Sequence, residues 1–410
     1  MNVRRSAAVL AATAVIGLAT PAVTAAAAPS PSPSVAIPSG LYGTTDPTYD
    51  GVWRQSLALI AQHRTDVVPA DKAVDWLLGQ QCANGAFAAF RADAAKDCDA
   101  KVVVDTNSTA AAAQALSVLD DGAHLTQAQK ATEWLKSMQN KDGGWGYTAG
   151  GASDANSTAV VAGALAAVGQ DPDTVVNGGK SAFDALREFA LSCDDGGAFG
   201  YQPDKKGKLA ANADATAAAV VGIKGMGMVT EKAAADTDLG CADATKPAPD
   251  QAAANGASYL AETMRKDGYL LSVLPGAEDQ PDYGNTADAV VALAVTGGPK
   301  AARQPLTWLE KNSADWAKQS GPAAYAQLIL AADTAGADPR DFGGADLVAQ
   351  LNATGPEPKT AASAAASETA EEKKDEDDGG VSVWWIVGVG LVAGIGVGFL
   401  FSGRNKGRQQ

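Results

Sequence analysis

Chemistry in this chain would have to come from carboxylates, because the usual nucleophiles and metal ligands are scarce. There are two histidines, His63 and His124, and four cysteines in 410 residues. Neither histidine is accompanied by the Ser- or Cys-centred motif a hydrolase needs, and each reads as a surface or core residue. A zinc centre favours Cys and His ligands, and no CxxC pair is present. Three acidic clusters remain. Asp375-Glu376-Asp377-Asp378 has the composition for protonating an alkene, which needs one carboxyl held by neighbouring carboxylates. It lies in a polar stretch where nothing desolvates or orients it. Asp120-Asp121 and Asp194-Asp195 each lack the third acid of an Asp-Asp-x-x-Asp magnesium–diphosphate site and sit beside loop glycines. No catalytic residue, metal site or cofactor is assigned from these residues.

The remaining polar candidates recur. Asp105-Thr106-Asn107-Ser108-Thr109, Asp154-Ala155-Asn156-Ser157-Thr158 and Asn212-Ala213-Asp214-Ala215-Thr216 are three copies, and Tyr283-Gly284-Asn285-Thr286-Ala287-Asp288 is a weaker fourth. Each follows a glycine-aromatic stretch. These are Gln80-Gln81-Cys82-Ala83-Asn84-Gly85-Ala86-Phe87, Gln139-Asn140-Lys141-Asp142-Gly143-Gly144-Trp145-Gly146-Tyr147, Cys193-Asp194-Asp195-Gly196-Gly197-Ala198-Phe199-Gly200-Tyr201 and Lys266-Asp267-Gly268-Tyr269. A spacing of about 50 to 70 residues is that of a helix pair with its loops.

Glycine ends one helix by accepting the left-handed conformation of a C-terminal cap. The Asp/Asn-Ser/Thr cluster then caps the next, its oxygens accepting from orphan backbone N–H groups. The helix that follows is Ala-rich and apolar nearly all round, so it belongs inside, and the more charged helices belong outside. Inner helices are expected near 53–63, 106–119, 156–168, 214–226, 286–296 and 322–335, and outer ones near 70–81, 127–139, 180–192, 250–265, 302–318 and 341–352. Six pairs close into an all-α (α/α)6 toroid of about twelve helices over residues 46–354. Parallel inner helices would gather Asp105, Asn107, Asp154, Asn156, Asn212, Asp214, Asn285 and Asp288 at one mouth, with Trp145, Tyr147, Phe199, Tyr201 and Tyr283 nearby. A polar rim with aromatics is a ligand platform, although capping and packing also account for every one of these residues.

Gln139-x-x-Asp142-Gly143-Gly144-Trp145 resembles the repeat motif of squalene cyclases and protein prenyltransferase β-subunits, and the resemblance extends over about 300 residues. It implies the toroid. The cyclases carry an Asp-x-Asp-Asp acid and resemble two such barrels in one chain, whereas the match here is the 375–378 cluster and the ring is single. Their cavities are rich in aromatics, which make up 6% of this chain. The prenyltransferases use an Asp, a Cys and a late His on zinc, which this chain does not match. Complement thioester domains need Gly-Cys-Gly-Glu-Gln, which is absent. Cobalamin carriers share the ring but add a small β-domain, and no strand-rich segment is evident. Fold alone leaves activity open.

The ends set the compartment. Arg4 and Arg5, the apolar stretch Ala7 to Ala19 and the small-residue run Thr24-Ala25-Ala26-Ala27-Ala28 read as a signal peptide over residues 1–28. Residues 29–45 are a Pro/Ser-rich spacer outside the fold. Residues 355–380 are an acidic stalk too polar to order itself, and residues 381–403 form an uncharged stretch that, as a helix, would rise about 28 Å across its core, Val383 to Phe401. Trp384 and Trp385 suit an interfacial belt, and Arg404, Lys406 and Arg408 in the tail 404–410 place the C-terminus in the cytoplasm. A net charge of −15 argues against nucleic acid or anionic lipid as a partner. The four cysteines suit two disulfides in an oxidising compartment; three pairings are possible and sequence alone does not decide among them, with Cys82–Cys98 and Cys193–Cys241 favoured because each pair brackets a Gly-rich loop. These features favour a cell-surface, membrane-anchored ring that captures an extracellular ligand, isoprenoid- or corrinoid-like among small molecules, for a membrane transporter. The alternatives are a cyclase-type enzyme with non-standard catalytic groups and an adaptor that binds another surface protein. An apolar cavity along the ring axis would favour the small molecule, and an Ala-packed centre the adaptor.

Overall fold

Four inner helices start at an acid or amide whose side chain accepts a backbone N–H three residues on. Asp105 accepts from Ser108 at 2.7 Å, Asp154 from Ser157 at 2.7 Å, Asn212 from Ala215 at 2.8 Å and Asp282 from Asn285 at 3.1 Å. These bonds satisfy donors that a helix start leaves orphaned. The threonine one position further ties each start to the preceding loop. Thr109, Thr158, Thr216 and Thr286 accept the backbone N–H of Phe87, Trp145, Phe199 and Leu270 at 2.9, 3.0, 2.9 and 3.0 Å. The fourth cap is therefore Asp282, and the expectation that Asn285 and Asp288 do this work is corrected: Asp288 lies one and a half turns inside its helix.

The computed structural model describes residues 36–231, 235–243, 247–272 and 279–360. In chain order the helices are α1 (Gly51–Arg64), α2 (Asp71–Gly79), α3 (Thr106–Val118), α4 (Leu125–Ser137), α5 (Ala155–Ala167), α6 (Ala182–Glu188), α7 (Ala213–Ile223), α8 (Pro249–Met264), α9 (Tyr283–Asn312), α10 (Ala314–Ser320), α11 (Pro322–Thr334) and α12 (Leu347–Asn352). Two short hairpins, β1 (Val176–Asn177) with β2 (Lys180–Ser181) and β3 (Leu270–Ser272) with β4 (Gln280–Asp282), decorate the loops. Helix α9 breaks at Gly298, whose φ of +78° turns the chain so that Pro299 opens a second limb.

The ring follows from the contacts. Helix α1 packs on α3, α3 on α5, α5 on α7, α7 on α9, α9 on α11, and α11 returns to α1. Helices α2, α4, α6, α8, the second limb of α9 and α12 pack outside. Closure is tied by Arg64 Nε donating to Asp333 at 2.8 Å and Gln62 Nε2 donating to Asn352 Oδ1 at 2.7 Å. The runs Ala110–Ala113 and Ala162 with Ala164–Leu165 are fully buried, and small side chains let neighbouring inner helices approach closely.

The glycine-aromatic motif is a structural joint. Gln139 Nε2 donates to Gly143 O at 2.9 Å and to Val175 O at 3.0 Å, and Gln81 Nε2 does the same to Gly85 O and Gln127 O at 3.1 and 2.9 Å. Gln139 thus fastens its loop to the approach to α6, and Gln81 fastens its loop to the first turn of α4. Gly143, at φ +86°, sits so close to that helix that a Cβ would lie 2.2 Å from Ser181 O.

Cys82 pairs with Cys98 and Cys193 with Cys241, as the loop reading expects. Two boundaries shift. Tyr42 is fully buried, with its N–H on Gln55 Oε1 at 2.9 Å and its hydroxyl on Gln62 Oε1 at 3.0 Å, so the end of the expected spacer belongs to the ring. At the other end Lys359 N donates to Val68 O at 2.9 Å, which draws the first residues of the expected stalk onto α2's approach. The signal peptide, the stalk beyond residue 360, the span and the tail lie outside the described residues. Among the described residues no helix is long and apolar enough to cross a membrane.

Candidate functional site

Two residues after each cap, the side chain turns toward the ring axis. Asn107, Asn156 and Asp214 occupy this position on α3, α5 and α7, and Gly284 occupies it on α9. The first three line a cavity of about 300 Å³ to which all six inner helices contribute. Trp53 and Leu57 come from α1, Asp288 and Val291 from α9, and Gln327 and Leu330 from α11. Ala159, Val160, Ala217, Ala218 and Val221 make an apolar wall.

The cavity has a floor. Past the end of α7 the chain crosses the C-terminal side of the ring, and Met226, Gly227, Met228 and Thr230 close it. Met228 N donates to Gln114 Oε1 of α3 at 2.7 Å, and the Thr230 and Thr334 hydroxyls are 2.7 Å apart, joining the crossing to α11. Gly163 of α5 must lack a side chain, since a Cβ there would lie 2.5 Å from Gly227 Cα. The expected inner helix 214–226 therefore stops at Ile223.

The polar groups converge in the upper half. Asn156 Nδ2 donates to Asp214 Oδ2 at 2.6 Å, which leaves Asn156 Oδ1 buried without a donor. Asn107 Oδ1 is in the same state. Gln327 Nε2 lies 3.3 Å from both oxygens of Asp288. Burial pushes the Asp288 carboxyl up to about 7, and the charges of Asp214 and Asp282 add to this, while the Gln327 contact opposes it. Burial also raises Asp214, with a further push from Asp282 and an opposing bond from Asn156. Removing a carboxylate from water penalises its charged form, and a second carboxylate nearby does so again.

The remaining expected residues are dispersed. Asp105 and Asp154 are buried caps whose carboxyls burial raises, and Asn212 is an exposed cap. Asn285 Nδ2 donates to Asp282 at 2.8 Å and stays with the cap. Trp145 and Phe199 are corrected from rim to core. Both are fully buried, and the Trp145 indole donates to Leu135 O at 2.7 Å. Tyr147 and Asp105 line a separate cleft of about 600 Å³ among the loops. Tyr201, 43% exposed, stands near Asp154 and Asp214, whose charges together with burial raise its phenol. Tyr283 stacks on Trp308 and Trp316, with ring centres 5.0 and 5.5 Å apart. Trp53, Gln327, Met226 and Met228 carry no motif in the sequence, though Gln327 gives a signal as the one strongly polar side chain between Pro322 and Ala332 of α11.

A family model described as prenyltransferase alpha-alpha toroid domain matches residues 53–237, from α1 through α7. No curated protein matches the chain. Similar solved structures include a sugar epimerase from a ruminal bacterium, at 14% identity over 73% of this chain and 93% of that one, with a TM-score of 0.47. Another is a protein from Actinoplanes, at 17% identity over 68% of this chain and 99% of that one, with a TM-score of 0.34. With TM-scores this low, neither likeness bears on chemistry.

Proposed function

We propose that the chain, which is similar over residues 53–237 to the prenyltransferase alpha-alpha toroid domain, uses the ring as a receptacle and captures a small organic ligand on the ring axis. The observation that carries this reading is the cavity of about 300 Å³, apolar on one side and lined by Asn107, Asn156, Asp214, Asp288 and Gln327 on the other. Sites for small ligands are concave and mostly apolar, with a few convergent polar groups. A ring serving only as a scaffold for another protein would have no need of an open centre.

The two disulfides suit an oxidising compartment. Together with the signal peptide at 1–28 and the span at 381–403 read from sequence, they support a place on the outer face of a membrane, with the C-terminus inside. A membrane transporter that receives the ligand, or a neighbouring surface protein, is the partner this arrangement proposes.

One observation favours a second reading, acid–base catalysis in the same cavity. A carboxyl raised to about 7, as at Asp288, is suited to giving and taking protons near neutrality.

Native mass spectrometry of the full chain, purified in mild detergent from its own envelope, tests capture. A discrete added mass that disappears in both Ala218→Phe and Val291→Phe, each still folded by circular dichroism, is the expected result. A wild-type chain carrying no added mass, before and after incubation with envelope extract, would refute it. Conversion of the bound compound on incubation would move the assignment to catalysis.

A further inference from the structure

The polar half of the cavity has an unusual balance of hydrogen-bonding groups. Asp214 and Asp288 offer carboxylate oxygens, and the Oδ1 atoms of Asn107 and Asn156 are buried acceptors with no donor. With Asp214 ionised, turning the Asn156 amide over would set its oxygen against Asp214 Oδ2, 2.6 Å away, so the amide nitrogen takes that side. Against these acceptors stands Gln327 Nε2, at a long 3.3 Å from Asp288. Thr230 is occupied with Thr334. Among the described residues lining the cavity none is basic.

Such a lining is complementary to a donor that also carries positive charge. Two carboxylates sharing a desolvated site cannot both ionise cheaply, and buried carboxylates are retained where something pairs with them. An ammonium group supplies three donors and the missing charge. Trp53 adds an indole at the same cavity, and aromatic faces attract cations. A bare metal ion fits poorly, since hard cations want a close shell of six or more oxygens, and no metal-binding cluster occurs among the described residues.

We propose that the ligand captured on the ring axis is an organic ammonium compound, its cationic head between Asp214 and Asp288 under the amide oxygens of Asn107 and Asn156, its apolar body against Ala217, Ala218, Val221 and Val291. This rests on the capture reading above and names the chemical class that the site selects. The head would meet Asp288 from α9, Asp214 from α7, and the neutral Asn107, Asn156, Gln327 and Trp53 from α3, α5, α11 and α1, while the cap carboxylate Asp282 lies outside the lining and acts on Asp288 through its charge. Binding is then linked to ionisation of Asp288, and affinity rises as pH climbs through about 7.

Cyclohexylammonium, cyclohexanol and cyclohexanecarboxylate have the same ring and differ in the head, and all three are soluble. Titrations of the full chain at pH 5.5 and pH 8, at equal ionic strength, are followed by ligand-observed NMR. Cyclohexylammonium is expected to bind at least about tenfold more tightly than cyclohexanol at pH 8, to weaken about tenfold or more at pH 5.5, and to compete with the mass found on the native protein. Asp214→Asn and Asp288→Asn are each expected to reduce the preference for ammonium over alcohol. Equal binding of ammonium and alcohol, insensitive to both substitutions but lost in Ala218→Phe, would overturn the cationic ligand and leave capture standing. Displacement of cyclohexylammonium by sodium or potassium at millimolar concentration would overturn it in favour of an inorganic ion. Binding of no probe, with no added mass on the native protein, would overturn both.

Discussion

Asn156 of α5 donates to Asp214 of α7 at 2.6 Å, so two neighbouring inner helices are joined at the second residue of each, directly over the cavity. The bond satisfies one carboxylate oxygen of a residue that lines the cavity. Equivalent positions on α3 and α9 hold Asn107 and Gly284. One position in a repeated sequence thus supplies an amide, an amide, an acid and a gap.

Replacing Asn156 by Leu keeps the volume and removes the donor. Asp214 then loses its one side-chain hydrogen bond of short length, and the ring is expected to lose about 1–3 kcal/mol in urea denaturation at pH 7.5. An unchanged midpoint would mean that the bond does not form.

Asp288 makes stability depend on pH in a definite direction. Its carboxyl is raised to about 7 by burial, then by Asp214 and Asp282, whereas in the unfolded chain it titrates near the ordinary carboxylate value. The folded ring therefore holds a proton that the unfolded chain has released. The resulting stabilisation is complete below about pH 4 and is lost as pH rises through about 7. Asp288→Asn is neutral throughout, so it is expected to match the wild type at pH 4 and exceed it at pH 8 by a few kcal/mol, at most about 4. Equal pH profiles for the two proteins would contradict this.

Thr158 anchors the start of α5 to the core by accepting the Trp145 N–H at 3.0 Å. Thr158→Val preserves the shape and leaves that buried donor unpaired, at an expected cost of about 1–3 kcal/mol. Thr216→Val should behave alike through Phe199. A change within a few tenths of a kcal/mol in both would show that the joint is not structural.

The floor rests on a contact between two glycines. Gly163→Ala puts a methyl 2.5 Å from Gly227 Cα, so the crossing at residues 224–230 must move. The expected loss is about 1–3 kcal/mol, together with faster hydrogen exchange at Met228, whose N–H is held by Gln114. Unaltered exchange at Met228 would place the floor elsewhere.

The two disulfides differ in the loops they close, with sequence separations of 16 and 48. Loop-closure entropy assigns about 3 kcal/mol to the shorter and about 4 to the longer. Replacing Cys193 and Cys241 by Ser is expected to lower the melting temperature more than replacing Cys82 and Cys98, and the reverse order would contradict the entropic account.

The ring was legible in the sequence because its signals are local. Glycines after Asp142, caps at Asp105 and Asp154, and Ala-rich helices after them each act within a few residues, and their repetition gave the number of pairs. The fourth cap is masked in the sequence because Asp282 lies one residue before the stretch that resembles the motif, while Asn285 occupies the place that Ser108 and Ser157 fill elsewhere. The aromatics misled for a related reason. An aromatic after a glycine turn reads equally as rim or core, and Trp145 and Phe199 lie in the core because Thr158 and Thr216 hold their backbone N–H groups inside. The cavity depends on which helix faces meet across the axis, and on a crossing segment whose glycines make no periodic pattern. Gln327, Trp53 and Met226 become neighbours only when the ring closes.

Capture requires the ring axis to be an occupied binding site. Crystallographic density for the full chain purified from its own envelope tests it most directly. The expected density is a non-protein molecule between Asp214, Asp288 and Trp53, with its apolar part on Ala218 and Val291. A cavity holding ordered water alone, in protein never stripped of its native ligands, would contradict it.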